Sequence, residues 1–527
     1  MSISKFLLLL LSMSFLGLRS QNLQFANSSY SFARTTELGV DSVLVEIINS
    51  GIENLRIKRI HFQDVFGSQP FSTSLNSLGL TAQQTSSLKL FFHPSHNIAH
   101  SLPIVFETDS FYGCLVYEAS GQGAFSNSYY NSTENLSSTA LFNALKVRIS
   151  SPYNSLSYDG ARDEMYGDVD NSGGQVTCVY TGRVATFNSR SGANSNNFNT
   201  EHTWPQSLFN SASPMKSDIH HLFPTDVTAN SQRGNLPFGV VTGSPSWQQG
   251  GSKMGGGKFE PRDVHKGTVA RAMMYFVLRY QNYSNFFDGN QETTLLNWHS
   301  AFPPSAQDKA RNNEIQQLQS NRNPFTDYPQ FADRMGLLSQ NGVLSADKSW
   351  VLMPDTIVLR QGVVANAVIY NSGNQSLNIN SIQLVDTNFS YTLNGSMTIG
   401  VGEYRTISIE LKHPIQTQSQ MVLQTNSNVQ VAESVYLKSI TRNGIGLNEL
   451  ASLKPVLFPN PSKGQAQIRW EGEQFGYEVL DFQGREVFHS NNSSRNEAVL
   501  PQLKVGIYTV IIRSVSGRFA VEKWILY

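Results

Sequence analysis

Cysteine is nearly absent from this chain: Cys114 and Cys178 are the two in 527 residues. They leave room for one disulfide at most, and a zinc site resting on these two alone is not expected. Spacing does not decide between a Cys114–Cys178 bridge and two buried free thiols. Charge is also sparse. Charged residues make up 15% of the chain, and 39 Lys+Arg balance 39 Asp+Glu. The overall charge therefore argues neither for nor against a polyanionic partner. After the N-terminus no stretch is long and apolar enough to span a bilayer.

At this length one core is excluded, and three or four domains are expected. Lys5 followed by Phe6 and the leucine run Leu7 to Leu11 reads as an export signal over 1–20, fading near Leu18-Arg19-Ser20. An internal repeat follows. Val45-Glu46-Ile47-Ile48-Asn49-Ser50-Gly51 is echoed by Ala367-Val368-Ile369-Tyr370-Asn371-Ser372-Gly373. Leu55, Ile57 and Ile60 correspond to Leu377, Ile379 and Ile382 at the same offset. Alternation, an Asn-Ser-Gly turn and renewed alternation predict strand–turn–strand, and further strand candidates surround each copy. Regions 21–125 and 341–446 therefore read as β-sandwiches. They resemble immunoglobulin-like modules of the abnormal-spindle and major-sperm-protein type, which implies spacer or adhesion units.

Between the repeats, 126–340 changes character. Ser138 to Val147 has helical apolar spacing. Val269, Ala272, Met273, Phe276, Val277 and Tyr280 predict an amphipathic helix over Thr268–Tyr280. Ser305 with Asp308 reads as a capped helix start, and that helix must stop by Asn323-Pro324. The tail, 447–527, carries Phe458-Pro459-Asn460-Pro461-Ser462-Lys463-Gly464, then Asp481-Phe482-Gln483-Gly484-Arg485 and Leu503-Lys504-Val505-Gly506-Ile507-Tyr508 among alternating strands. It resembles the C-terminal sorting domain of the type IX secretion system, a β-sandwich. That resemblance implies passage across the outer membrane by the secretion machinery, to the cell surface or medium.

The chemistry concentrates in one polar segment. It reads Asn199-Thr200-Glu201-His202-Thr203-Trp204-Pro205, then Ser217-Asp218-Ile219-His220-His221-Leu222-Phe223-Pro224, then Asn230-Ser231-Gln232-Arg233-Gly234-Asn235. A carboxylate, an imidazole, a carboxamide and a guanidinium together suit metal-assisted phosphodiester cleavage. From Val176 to Phe287 ten Lys/Arg stand against five Asp/Glu, a net +5 that a polyanionic substrate would favour. Glu201 and His202 point to opposite faces if they lie on a regular strand, and could border one site in a bent one. Asp218 to Phe223 reads as a second strand ending at Pro224. Thr225 to Gln232 reads as a helix capped by Thr225, with Asn230 and Arg233 on one face. Strand, strand, helix is the ββα-metal order.

These motifs resemble the endonuclease I family of secreted bacterial nucleases. Tyr180-Thr181-Gly182-Arg183, Phe259-Glu260-Pro261, Lys266-Gly267-Thr268-Val269-Ala270-Arg271, Arg311-Asn312 and Gln319-Ser320-Asn321-Arg322-Asn323-Pro324-Phe325 extend the match, with Ser320 where glycine is usual. The resemblance implies His202 as general base and Glu201 with Asn230 as ligands of one Mg²⁺, with Ca²⁺ or Mn²⁺ as alternatives. It makes Arg183 a candidate phosphate anchor. Arg233, a helical turn from Asn230, could do the same or pair with Asp218 or Asp226. The expected protein is an α+β ββα-metal nuclease domain between immunoglobulin-like sandwiches, with a sorting tail, acting on DNA, RNA or both. Two rival readings are an adhesion protein with an incidental nuclease domain, and a zinc hydrolase using His202, His220 and His221.

Overall fold

The computed structural model describes residues 23–51, 53–109, 111–280, 286–413, 415–440, 455–481, 485–514 and 519–527. The export-signal segment 1–20 lies outside the described residues, as does Phe482-Gln483-Gly484 of the tail motif.

The repeat is a duplication of topology. The first module pairs Leu23–Phe25, Asp41–Asn49, Gln84–Phe92 and Phe71–Thr73 in one sheet. Its second sheet runs Ser29–Thr36, Cys114–Ala124, Ala99–Thr108, Leu55–His61 and Leu78–Leu80. The later module has the same two strand orders: Trp350–Met353, Ala365–Asn371, Tyr404–Leu411, Phe389–Asn394, and Thr356–Leu359, Ala432–Ser439, Gln418–Thr425, Leu377–Leu384, Thr398–Ile399. In both, the edge strand of the five-stranded sheet pairs parallel with the module's last strand. Alternating side chains from both sheets close each core.

The repeated asparagine explains the repeated sequence. Asn49 Nδ2 donates to the carbonyls of Glu53, Leu80 and Thr81, and its Oδ1 accepts from Gly51 N. Asn371 does the same with Gln375, Ile399, Gly400 and Gly373. One buried carboxamide thus satisfies the turn's backbone groups in each copy.

The two modules are far apart in sequence yet touch. Met353, Val368 and Tyr370 of the later module pack into the first module's core. Asn366 N donates to Tyr112 O at 3.0 Å, and Arg360 pairs with Glu53 at 2.7 Å. Gly113 sits here at φ +66°, where a Cβ would clash with the Asn366 carbonyl.

Between them in the chain lies the mixed domain, whose core runs from Phe125 to Leu338. Its helices include α1 (Ser138–Ser150), α2 (Tyr158–Glu164), α3 (Arg190–Ser195), α4 (Val227–Arg233), α5 (Asp263–Tyr280), α6 (Gly289–Ala301) and α7 (Ala306–Gln319). α1 extends three residues past the expected Val147. α5 begins five residues before Thr268, because Asp263-Val264-His265-Lys266-Gly267 continues it. α7 has the expected Ser305–Asp308 capping box and ends where Ser320 turns left-handed at φ 63°. Buried aromatic and aliphatic side chains of α5 form the spine of this core.

Cys114 and Cys178 are both free and buried, in different domains. Among the described residues the tail forms one five-stranded sheet rather than two separate sheets. The reason is the long strand Gln467–Leu480, which pairs with Val456–Phe458 at one end and Gly506–Ser514 at the other.

Candidate active site

The strand Phe198–His202 pairs antiparallel with Leu222–Asp226, placing Glu201 opposite Phe223 and His202 opposite Leu222. The second strand starts later than expected. Asp218 Oδ1 accepts from His220 N and caps a 3₁₀ turn over Ile219–His221, so pairing begins only at Leu222 and runs through Pro224 to Asp226. The helix cap also moves by one residue. Asp226, not Thr225, caps α4, accepting from Ala229 N at 2.7 Å. Strand, strand and helix follow in the expected order, and α4 carries both Asn230 and Arg233.

Glu201 and His202 occupy the last two strand positions and contact different elements. Glu201 is buried, and its Oε1 accepts from Tyr180 Oη at 2.7 Å and lies 3.3 Å from Arg233 Nε. Burial raises its pKa, opposed by Arg233 and the tyrosine hydrogen bond. Oε2 accepts no hydrogen bond among the described residues. Asn230 is half-buried, and its Nδ2 donates to Thr200 O at 3.5 Å, leaving Oδ1 uncommitted among those residues.

His202 turns toward α2 and the loop before Asp218. Its Nε2 bonds Lys216 O at 3.0 Å, and its ring lies 5.6 Å from the rings of Tyr158 and His221. A carbonyl can only accept, so Nε2 carries the proton and Nδ1 the lone pair. Burial, reinforced by His221, lowers the His202 pKa to about 3. The imidazole is therefore neutral at neutral pH, with its lone pair on Nδ1.

The two arginines expected near phosphate are committed within the protein. Arg233 is buried, and it pairs with Glu201 rather than Asp218 or Asp226. Its Nη2 donates to Thr203 O at 2.6 Å, and its Nη1 to the carbonyls of Gly234 and His202. Arg183 donates to the carbonyls of Asn196 and Asn197 and lies over the Phe198 ring at 4.2 Å. It ties the end of α3 to the start of the motif strand.

The remaining motif residues hold the frame. Asp218 is fully buried among Arg279, Tyr275, Tyr280 and Gln319. Burial would raise its pKa, but Arg279 and the neighbouring histidines outweigh burial and hold it below the ordinary range. His220 and His221 each place Nε2 on a backbone carbonyl, of Asn321 and Met215, and pack on Tyr275 and Phe276. Among the described residues no group of three or more His, Cys, Asp or Glu is arranged to hold a metal. Arg311 grips Asp170 and the carbonyls of Ile219 and Leu222. Arg322 forks onto Asp327. Sequence reasoning gave no role to the Tyr180 hydroxyl, Tyr158, Arg162 or the Lys216 carbonyl. Only Tyr180 stands within one of the motifs, and no local pattern marks the others.

Residues 130–330 match the family model described as Endonuclease I, and 456–527 match the secretion system C-terminal sorting domain. The chain is 35% identical over 232 residues to an extracellular ribonuclease of Bacillus amyloliquefaciens, covering 40% of this chain and 79% of that protein. The corresponding ribonuclease of Bacillus subtilis is 33% identical over the same length and coverage. An extracellular deoxyribonuclease of Aeromonas hydrophila is 31% identical over 116 residues, 21% of this chain and 49% of that protein. The chain belongs to the endonuclease I family. With its type IX sorting tail it is a secreted or cell-surface protein.

Proposed function

We propose that this chain is an exported, metal-dependent endonuclease of low sequence specificity, with a ββα-metal centre at Glu201, His202 and Asn230. The observation that carries this reading is the orientation of His202, whose Nε2 is anchored on the Lys216 carbonyl at 3.0 Å so that Nδ1 holds the lone pair. Nδ1 is then the atom that takes a proton from the attacking water. The carbonyl fixes the tautomer and orients the ring.

Glu201 Oε2 and the Asn230 carboxamide oxygen are two hard oxygen donors without other partners among the described residues. They fit a cation such as Mg²⁺ that keeps most of its waters. Bound there, Mg²⁺ would supply charge to a phosphate oxygen and to the departing 3′ oxygen. Tyr180 and Arg233 hold the Glu201 carboxylate in place through Oε1. Arg233 also fixes the strand end that carries the base, through the His202 and Thr203 carbonyls.

The flanking modules are read as immunoglobulin-like spacers that mount the nuclease domain. The substrate is extracellular DNA, RNA or both. The deciding experiment incubates the purified protein with plasmid DNA and with RNA, with Mg²⁺ and with EDTA. Cleavage of both that EDTA abolishes is the expected result. Persistence of RNA cleavage in EDTA, with DNA untouched, would instead indicate attack by the 2′-hydroxyl and overturn the metal mechanism.

A further inference from the structure

Arg183 and Arg233 donate to the protein's own carbonyls, which turns attention to other cations beside His202. Two stand on the His202 side of the motif strand. Arg162 lies on α2 and Lys216 in the loop that orients His202. Each is half-buried, and among the described residues neither forms an ion pair.

The local sequence explains why Arg162 has no carboxylate. Asp159, three residues earlier on the same helix, is the natural partner, but it binds Arg190 of α3 at 2.5 Å, and Asp163 binds the same arginine at 2.8 Å. Arg162 is anchored instead through Nε, which donates to Thr200 Oγ1 at 3.1 Å beside the Tyr166 hydroxyl that shares this oxygen. Among the described residues its terminal nitrogens meet no carboxylate and no carbonyl. They form a fork of the geometry that grips a phosphate through two oxygens.

Tyr158 gathers these groups. Its ring centroid lies 5.4 Å from the Arg162 guanidinium, 4.8 Å from Lys216 Nζ and 5.6 Å from the His202 ring. Thr200, which receives Arg162, also offers its carbonyl to Asn230. Two positive charges without carboxylate partners among the described residues thus flank one aromatic ring beside the His202 imidazole. Lys216 serves twice: its carbonyl orients His202, and its ammonium supplies charge.

We propose that Arg162 and Lys216, held about the Tyr158 ring, form the phosphodiester-binding surface of the site. Arg162 grips a phosphate of the substrate backbone through its two terminal nitrogens, and Lys216 neutralises the same strand as a point charge. Neither reads bases, so the surface accepts DNA and RNA alike. This inference rests on the nuclease reading for its substrate, and binding can be measured apart from cleavage.

The test uses the full chain carrying His202→Ala, so that bound probe is not degraded. The probes are short fluorescein-labelled single-stranded DNA and RNA oligonucleotides, with anisotropy read across a salt series. Arg162→Met and Lys216→Met should each weaken binding of both probes. Each should lower the slope of log affinity against log salt by roughly 0.7, the contribution of one phosphate contact on a single strand. Lys216→Met keeps the backbone carbonyl. In enzyme that retains His202 it should therefore raise KM more than it lowers kcat and leave the pH profile in place. Lys216→Arg should retain the slope. Thermal midpoints confirm that the variants fold. Unchanged affinity and slope in both Met variants, with wild-type cleavage intact, would overturn the proposal while leaving the nuclease reading standing. Lowered slopes in a protein that fails to cleave would support the binding surface and refute the nuclease reading.

Discussion

Arg233 Nε lies 3.3 Å from Glu201 Oε1, and the two side chains are 1% and 2% exposed. The pair joins α4 to the end of the motif strand. Removing the cation would leave a buried carboxylate facing only Tyr180, together with carbonyls of His202, Thr203 and Gly234 that lose their donor. Arg233→Met should therefore cost about 3–5 kcal/mol of stability, read as a lower urea midpoint. A variant as stable as the parent would show that the guanidinium is not a structural tie.

Removing the base tests the chemistry. His202→Ala should lower the cleavage rate roughly 10²–10⁴-fold, the usual worth of a positioned acid or base. The protein should remain folded and still bind oligonucleotide. Cleavage near the parent rate would exclude His202 as the proton acceptor.

The carboxamide can be separated from the fold. Asn230 is half-buried and has one long hydrogen bond to lose, so Asn230→Ala should change stability little. It should raise the Mg²⁺ concentration that gives half-maximal cleavage. A Mg²⁺ titration that superimposes on the parent's would remove Asn230 from the ligand set.

The duplicated turn makes a paired prediction. Asn371→Ala strands the carbonyls of Gln375, Ile399 and Gly400, and Asn49→Ala strands those of Glu53, Leu80 and Thr81. Each should destabilise its module by about 1–3 kcal/mol, the cost of leaving buried polar groups unsatisfied. Chemical denaturation of the two variants measures this, and a silent substitution in either module would break the equivalence.

Acid should weaken the contact between the first module and the nuclease domain. Burial, with Arg334 nearby, lowers the pKa of His96 to about 3. Burial lowers that of His100 to about 4, where Arg334 acts in the same direction and a backbone bond opposes it. Arg334 is itself buried and donates to Asn97. As pH falls below 6.5 the unfolded chain takes up these protons before the folded one does. Stability is then full above that value and lost toward pH 4 and 3, by up to ~1.4 kcal/mol per pH unit for each histidine. Urea midpoints at pH 7 and pH 5 should differ in that direction, and replacing both histidines with phenylalanine should shrink the difference. Equal midpoints in the parent would mean that the pair titrates normally when folded.

Local signals in the sequence set the elements. The capping box at Ser305, the apolar stripe of α5 and the Asn-Ser-Gly turns depend on neighbours a few residues away, so each is legible in the sequence alone. The duplication is legible too, because the same turn needs the same asparagine. Sequence order also brings Glu201, His202 and Asn230 under suspicion together. It misplaces the start of the second strand, since Asp218 spends one oxygen on a local cap and the other on residues some 60 positions away.

What only the tertiary structure decided is how each charge is spent. Arg183, Arg233, Arg162 and Lys216 look alike in sequence, each a cation near a motif. Whether one is free for a substrate depends on which carboxylates and carbonyls the fold brings within hydrogen-bond reach. Arg233 is consumed because α4 packs against the motif strand. Arg162 is left without a carboxylate because α3 delivers Arg190 to Asp159, its neighbour one turn back on α2. The tautomer of His202 is likewise set by a carbonyl 14 residues on, whose position is fixed by the loop's packing and by no local pattern.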